Sequence, residues 1–190
     1  MGSIKMPFSE EKLIKGCQKG KREYQQALYD KYCDGMYLVA LRYSKMQQEA
    51  EDILQEAFIK VFNNIKNFRK DSSLAYWIKR IVVNTALNHQ RSKLYLYPMV
   101  DVSDLEDWSD SESVISGIGH QDLLKLVQEL PDGCQAIFNL FAIEGFKHHE
   151  IAKMLNISEG TSKSQYSRAK ALLSEKILKR EQTNYESGQV

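Results

Sequence analysis

A polar face on one predicted helix is the part of the sequence best suited to chemistry. In the segment ISEGTSKSQYSRAKALL, residues 157–173, apolar residues recur at helical spacing on one side. Lysine and arginine donate hydrogen bonds to phosphate and guanine, glutamine pairs with adenine, and hydroxyls serve either. The opposite side carries Thr161, Lys163, Ser164, Gln165, Ser167 and Arg168. These residue types predict a helix that lies in the major groove of duplex DNA.

The residues before this helix predict a helix-turn-helix. The segment HHEIAKML is typical of a helix, NIS forms a break of three residues, and the polar helix follows. Asn156 suits a left-handed turn conformation, Ser158 suits a helix N-cap, and Ala152 leaves room where the two helices approach. Ser162 departs from the usual pattern, because it stands where an apolar residue is common. Individual bases are therefore not assigned to individual side chains.

A second group of polar residues lies in a predicted loop and on the helix that follows it. The segment NFRKDSS places cations and hydroxyls in a loop between two predicted helices, and the next helix adds Asn84 and Asn88. The cations of this loop favour contact with a polyanion. Trp77 lies on the apolar stripe of that helix and is interpreted as a core residue.

Neither a metal site nor a catalytic centre is indicated. Cys17, Cys33 and Cys134 are far apart in the chain and form no CxxC pair. His148 and His149 are adjacent, so their side chains point in different directions on a helix, unlike the i, i+4 pair of a zinc site. We therefore expect no metal, no cofactor and no enzymatic activity.

The elements that must position these groups are all predicted to be helices. Apolar residues recur at helical spacing nearly throughout, and the chain has only three prolines. Four helices that can share one core precede residue 98, and three more lead to the polar helix. The sequence predicts an all-α protein with two small helical domains, residues 8–98 and 120–180, and a linker at 99–119.

Charge supports this division of the chain. Residues 1–98 hold 17 Lys and Arg against 10 Asp and Glu, whereas residues 99–119 hold 6 acidic residues and no basic one. The basic first part favours contact with a polyanion. The middle segment is also rich in Ser and Gly, which predicts a flexible acidic linker. Two roles remain open for it: it lies along a basic protein surface, or it is a solvated tether.

Two longer segments resemble one known family. EDILQEAFIKVFNNIKNFRKDSSLAYWIKRIVVNTALNHQRSK resembles region 2 of the bacterial sigma-70 family, and LPDGCQAIFNLFAIEGFKHHEIAKMLNISEGTSKSQYSRAKALL resembles its region 4. Their order and the short linker resemble an extracytoplasmic-function (ECF, group IV) sigma factor over about residues 8–178. The resemblance implies a factor that binds core RNA polymerase, directs it to promoters and helps to open the DNA.

The resemblance also implies roles for particular residues. The implied contacts with core polymerase are Asp52, Gln55 and Glu56. The implied contacts with the single-stranded minus-10 element are Arg69, Lys70, Asp71, Ser72, Asn84 and Asn88. The implied contacts with the double-stranded minus-35 element are Thr161, Lys163, Ser164, Gln165 and Arg168. Besides polymerase and promoter DNA, the resemblance implies an anti-sigma factor as a partner.

One alternative is a two-domain helix-turn-helix regulator that does not join polymerase. A sensing domain would normally show β-strands, whereas residues 8–95 are predicted to be helical, which favours the sigma-factor interpretation. No apolar run approaches the roughly 20 residues that span a bilayer, so we expect no membrane insertion. The start of the chain lacks an apolar signal-peptide core and the cysteines are scattered, so we expect a cytoplasmic location.

Overall fold

The computed structural model describes residues 8–94 and 120–187, with side chains described for residues 8–90 and 122–180. The regular elements in these ranges are all helices, which confirms the predicted all-α class. Contacts divide the chain into two compact units, Met1–His89 and Gln90–Val190. The acidic linker predicted at 99–119 lies outside the described residues.

In its described residues, the first unit is built from four helices and one short turn of helix. They are α1 (Glu10–Gln18), α2 (Arg22–Arg42), α3 (Gln47–Asn64), a 3₁₀ turn (Ile65–Asn67) and α4 (Leu74–Leu94). α1 begins at Ser9, whose hydroxyl accepts a hydrogen bond from the Lys12 backbone N–H at 3.4 Å. α2 packs against both α1 and α3, and α1 also contacts the 3₁₀ turn.

The apolar stripe of α3 forms much of the core of this unit, as its periodicity predicts. Its buried residues are Ala50, Ile53, Leu54, Ala57, Phe58 and Val61. Leu74, Ile78 and Val82 of α4 are buried as well, at most 1% exposed. Burial of one large aliphatic side chain stabilises the fold by roughly 1.5–3 kcal/mol, so this stripe holds α3 in place and leaves its other face for contacts.

The described residues from 120 onward in the second unit form four more helices. They are α5 (His120–Gln128), α6 (Asp132–Phe138), α7 (His148–Leu155) and α8 (Glu159–Ser187). α8 contributes Ala169, Leu173 and Ile177 to a core that α5, α6 and the turn between them complete with Leu126, Val127, Leu130, Cys134 and Phe138. These contacts fix the orientation of α8 about its own axis, and so determine which of its residues face outward.

One feature of this unit is absent from the sequence-based prediction. After Phe138 the helix continues as a π-helical turn, Asn139–Ile143, in which the Glu144 N–H donates to the Asn139 carbonyl at 2.9 Å. Gly145 then adopts a φ of 79°, in the left-handed region that favours glycine. The wider turn changes the register of Phe141, whose ring packs against α7 and α8.

Candidate nucleic-acid interface

The turn between α7 and α8 has the geometry of a helix-turn-helix. Asn156 lies in the left-handed region at φ 56° and ψ 51°, as its type predicts. The Ser158 hydroxyl accepts a hydrogen bond from the Thr161 backbone N–H at 2.9 Å, which caps the start of α8 as predicted. The Thr161 hydroxyl lies 2.8 Å from the same Ser158 oxygen, so Thr161 takes part in the cap.

The outward face of α8 is a continuous stripe. Its members recur at helical spacing i, i+3, i+4, i+7 and i+8, and none of them is buried. They are Gly160, Lys163, Ser164, Ser167 and Arg168. This stripe, here called the α8 outer stripe, includes three of the five residues assigned to the minus-35 element. A hydroxyl-rich stripe with two cations suits contact with phosphates and base edges.

Gln165 is the exception, and its predicted exposure was wrong. The side chain is only 4% exposed, and its Oε1 accepts a hydrogen bond from the Cys134 Sγ at 3.1 Å. The position lies four residues before Ala169 and eight before Leu173, both buried, so it belongs to the inner stripe of α8. That spacing was visible in the sequence, but the hydrogen-bonding capacity of the amide suggested exposure. Gln165 therefore connects α8 to α6 in this structure and does not face outward.

Ser162 is also buried, and it has a polar partner on the preceding helix. Its Oγ lies 2.9 Å from the His148 Nδ1. The His148 ring stacks on Phe141 at 4.3 Å between centroids and approaches Tyr166 at 5.8 Å. The serine noted as a departure from the usual apolar pattern is thus part of a mixed polar and aromatic contact that joins α7 to α8.

The environment of His148 lowers its pKa. Burial of the ring is the largest cause, and the positive charge of Lys163 acts in the same direction, while Glu159 opposes it. Glu159 also lies 2.8 Å from Lys163, and both side chains are exposed. That ion pair is solvated, so its contribution to stability is small. It does place one carboxylate beside the α8 outer stripe.

The loop of residues 68–73 exposes the groups predicted to capture unstacked bases. Arg69, Lys70, Asp71 and Ser72 are all exposed. The loop is fixed at one end by Phe68, which is 8% exposed and lies 5.2 Å from the Trp77 ring between centroids. At the other end the Ser73 hydroxyl accepts from the Tyr76 backbone N–H at 3.2 Å. These two contacts hold a polar loop, here called the capture loop, on a packed base.

Lys70 has an unusual backbone conformation within the capture loop. Its φ is 64°, which costs a non-glycine residue about 1 kcal/mol or more. Its ammonium lies 3.5 Å from the Glu11 carboxylate of α1, so the loop is linked to that helix. Asn84 and Asn88 are exposed on α4, four residues apart and therefore on one face. The structure thus places every residue assigned to the minus-10 element at the surface.

The outward face of α3 carries the residues assigned to polymerase contact. Asp52 and Gln55 are exposed. Glu56 is partly covered, since its carboxylate lies 2.7 Å from the Lys60 Nζ and 2.5 Å from the His89 Nε2. Hydrogen bonding to Lys60, and then to His89, lowers the pKa of Glu56. The Glu56 carboxylate is thus held in position by Lys60 of α3 and His89 of α4.

Ile59 is a residue on this face that sequence reasoning missed. It is 61% exposed, although it is a large aliphatic residue. It follows Asp52 by seven residues and Gln55 by four, so the three share one face of α3. That spacing was the available signal. An aliphatic side chain among polar ones is typical of the centre of a protein interface.

Two absences concern only the described parts of the chain. Among those residues, no group of three or more His, Cys, Asp and Glu side chains could hold a metal ion. No helix within the described ranges is long and apolar enough to cross a membrane.

Comparison with known proteins identifies both halves. The family model for sigma-70 region 2 matches residues 28–94, and that for sigma-70 region 4 matches residues 120–173. Together they cover more than half of the chain. The first match contains α3, the capture loop and α4, and the second contains the helix-turn-helix.

Relatives of similar length match along nearly the whole chain. The RNA polymerase sigma-H factor of Pseudomonas aeruginosa is 28% identical over 173 residues, which cover 85% of this chain and 90% of the relative. The ECF RNA polymerase sigma-E factor of Escherichia coli K12 is 26% identical over 182 residues, which cover 90% of this chain and 95% of the relative.

A solved structure shows the same fold. It is the sigma factor RpoE in complex with the anti-sigma factor NepR from Bartonella quintana, with a TM-score of 0.50 and 22% identity over 81% of this chain and 96% of that chain. The helical fold, the order of the two matched regions and the relatives that match over nearly their whole length all indicate the same family. The chain belongs to the sigma-70 family, as an extracytoplasmic-function RNA polymerase sigma factor.

Proposed function

We infer that this chain is a transcription initiation factor that binds core RNA polymerase, directs it to specific promoters and assists DNA melting. The observation that carries this inference is the presence of both sigma-70 regions, in order, in a chain that matches its relatives nearly end to end. Such a factor needs one surface for polymerase and two for DNA, and it makes or breaks no covalent bond.

The α8 outer stripe is the proposed reader of the minus-35 element. A major groove about 12 Å wide accepts an α-helix. Lys163 and Arg168 supply the cations, while Ser164 and Ser167 lie between them and supply hydroxyls. Gln165 is left out of this reader because its amide is buried against Cys134. Thr161 is positioned to shape the start of the helix through the Ser158 cap.

The capture loop, with Asn84 and Asn88, is the proposed site for the melted minus-10 element. Unstacking a base costs a few kcal/mol, and a protein recovers this by holding the base and its phosphate. Arg69 and Lys70 offer charge, and Asp71 and Ser72 offer hydrogen-bonding groups for a base edge. Support comes from the exposure of all four side chains on a loop whose two ends are anchored.

The outward face of α3 is the proposed contact with core polymerase. Asp52 and Gln55 are exposed and can contact polar groups of the partner. Ile59 lies one turn further along the same face of α3 and offers an apolar anchor. Interfaces of this kind draw most of their affinity from a few well-buried anchors. Glu56 contributes a carboxylate whose orientation is already fixed by Lys60 and His89.

Domain limits, location and regulation complete the proposal. We assign residues 8–98 to the polymerase and minus-10 domain, 99–119 to the linker and 120–180 to the minus-35 domain. A factor that acts on RNA polymerase works in the cytoplasm, which is the proposed location. An anti-sigma factor is the proposed regulator, because the similar Bartonella quintana structure holds one.

A helix-turn-helix regulator that does not join polymerase is not favoured. It would share the second unit, but it would have no need of a first unit that matches sigma-70 region 2.

Transcription by core polymerase with and without this protein, on a library of genomic promoter fragments, tests the proposed function. We expect a distinct subset of promoters to become active only when the protein is added. The Ile59→Ser and Arg168→Ala variants should reduce that activity, the first through core binding and the second through promoter binding. A protein that binds the library but never co-elutes with core polymerase would be a regulator of the alternative class instead.

A further inference from the structure

A cavity of about 330 Å³ opens between α1 and the start of α2. Its lining combines positive charge with aromatic surface and contains no carboxylate. Apart from Gly16, the lining residues are Phe8, Lys12, Lys15, Lys19, Lys21 and Tyr24. None of the three surfaces described above includes these residues.

The sequence places three of these lysines on one side of α1. Lys12, Lys15 and Lys19 recur at i, i+3 and i+7, while Leu13, Ile14 and Cys17 are buried on the other side. Within the described residues, no carboxylate lies within 4.0 Å of these three ammonium groups. Like charges on adjacent turns of a helix repel by a few tenths of a kcal/mol per pair.

The dipole of α1 accounts for only part of this arrangement. Cations near a helix C-terminus are favourable, which explains Lys15 and Lys19. It does not explain Lys12, which lies in the first turns, nor Lys21, which lies beyond the helix. A negatively charged ligand in the cavity would interact favourably with all four.

The aromatic wall of the cavity is fixed by close packing. The Phe8 and Tyr24 rings lie 4.5 Å apart between centroids, and both are half-buried. Tyr24 packs directly on the α1 backbone at Gly16, where any Cβ would overlap the ring. The Lys21 Nζ lies 5.8 Å from the centre of the Tyr24 ring. Aromatic rings beside cations form the surface on which proteins stack unpaired bases.

The cavity is also physically connected to the capture loop. Lys70 of the loop contacts Glu11 at 3.5 Å, and Glu11 directly precedes Lys12 on α1. At the other end of the helix, the Gln18 side-chain amide donates to the Ile65 carbonyl at 3.3 Å, in the turn that leads into the loop. With a helical rise of about 1.5 Å per residue, Lys12 and Lys19 lie roughly 10 Å apart along α1. A strand that leaves the capture loop and passes the exposed Glu11 can therefore meet Lys12, Lys15 and Lys19 along this helix.

We propose that this cavity binds one nucleotide of the single-stranded DNA that extends beyond the element held by the capture loop. The lysines hold a phosphate, and the Phe8–Tyr24 pair stacks against the base. Every base has an aromatic face, so the contact adds affinity with little sequence preference. The proposal rests on the proposed role of the capture loop, but it concerns a different set of residues.

Binding of fluorescent single-stranded DNA by the full-length protein in complex with core polymerase tests this site. One oligonucleotide carries only the minus-10 element of a promoter recovered from the library, and a second extends it by a few nucleotides on each side. The test variants are Tyr24→Ala and the double change Lys12→Gln with Lys15→Gln. The controls are Tyr24→Phe, which keeps the ring, and Lys45→Gln, which removes an exposed cation at the far end of α2.

We expect both test variants to bind the long oligonucleotide about tenfold more weakly than the unchanged protein does, and the short one equally well. Both controls should behave as the unchanged protein. Equal binding of the long oligonucleotide by all the proteins would overturn the proposal, as would equal losses on both lengths. If Tyr24→Ala fails to fold, the lysine double variant still decides, because its changes are on the surface.

Two further measurements distinguish the cavity from the capture loop and from a site for free nucleotides. An Arg69→Ala variant should lose affinity for both lengths, so a failure of the capture loop is distinguishable from a failure of the cavity. Titration with the free nucleotide dAMP tests the other source of the same chemistry. Tight binding of dAMP, lost in Tyr24→Ala, with no effect of strand length, would show a mononucleotide site and overturn the DNA proposal.

Discussion

Gln165 of α8 accepts a hydrogen bond from the Cys134 thiol of α6 at 3.1 Å, and both side chains are buried. The contact joins two helices of the second unit at the level of the α8 outer stripe. It fixes the rotation of α8 about its axis, because Gln165 can reach Cys134 only when Ser164 and Arg168 face outward. A polar residue in the core thus helps to set which residues of α8 face outward.

Replacing Gln165 should therefore affect stability and not base preference. We expect Gln165→Ala to lower the free energy of unfolding by about 1–3 kcal/mol, because it leaves a small cavity and removes the acceptor of the Cys134 hydrogen bond. Urea unfolding of the protein measures this loss.

Ser164→Ala is the matched control on the same helix. It should change stability by less than about 0.5 kcal/mol. It should alter the minus-35 sequences recovered by binding-site selection, while Gln165→Ala should recover the same sequences as the unchanged protein. Altered base preference in Gln165→Ala with normal stability would return this residue to the DNA surface.

The cations of the α8 outer stripe should contribute to promoter affinity through phosphate contacts. Each phosphate contact that is lost lowers the salt dependence of binding, so Lys163→Ala and Arg168→Ala should each reduce the slope of log K against log salt by about 1. Promoter binding at several salt concentrations measures the slope. Association with core polymerase should stay normal, and a variant that loses both activities would indicate a structural role for the helix.

The sequence predicted much of this architecture because the relevant signals are local. The stripe from Ala50 to Val61 and the turn at Asn156 depend on helical periodicity and on the backbone preference of one residue, and both are as predicted. Gln165 was misplaced because residue type was weighed above its spacing from Ala169.

Other features depend on contacts between distant residues. The pairing of Ser162 with His148 joins two separate helices, and no local pattern indicated it. The π-helical turn after Phe138 is local, but the helical spacing of the apolar residues there did not indicate it. The sequence alone was enough to identify the polar residues of the proposed DNA and polymerase surfaces. Ile59 was not recognised, because an aliphatic residue near a buried stripe is normally part of the core.

Ile59 should be important for association with core polymerase and unimportant for folding. Its side chain is 61% exposed, so Ile59→Ser should leave the free energy of unfolding within about 0.5 kcal/mol of the original. Loss of an apolar anchor at the centre of an interface costs about 2 kcal/mol or more, so we expect core affinity to fall at least tenfold. Competition against a labelled sigma factor for core polymerase measures this affinity.

Ile59→Val is the conservative control and should retain most of the affinity. Binding by Ile59→Ser as tight as that of the unchanged protein would place the polymerase contact elsewhere.

His148 should make the joint between α7 and α8 sensitive to acid. Burial lowers its pKa below the ordinary value of 6.5, so the unfolded chain takes up a proton at a higher pH than the folded chain does. The contribution of His148 to stability is therefore complete above pH 6.5, and it is lost as the pH falls from there through the pKa of His148 in the folded protein.

Hydrogen exchange of the α7 and α8 amides at pH 7.5 and at pH 5.5, corrected for intrinsic rates, measures the local opening. We expect protection to fall at the lower pH, and to fall much less in His148→Gln, whose side chain does not titrate. The hydrogen bond from Lys163 lowers the pKa of the nearby Glu159, which therefore stays ionised across this range and does not produce the same change. An equal loss in both proteins would assign the effect to another group.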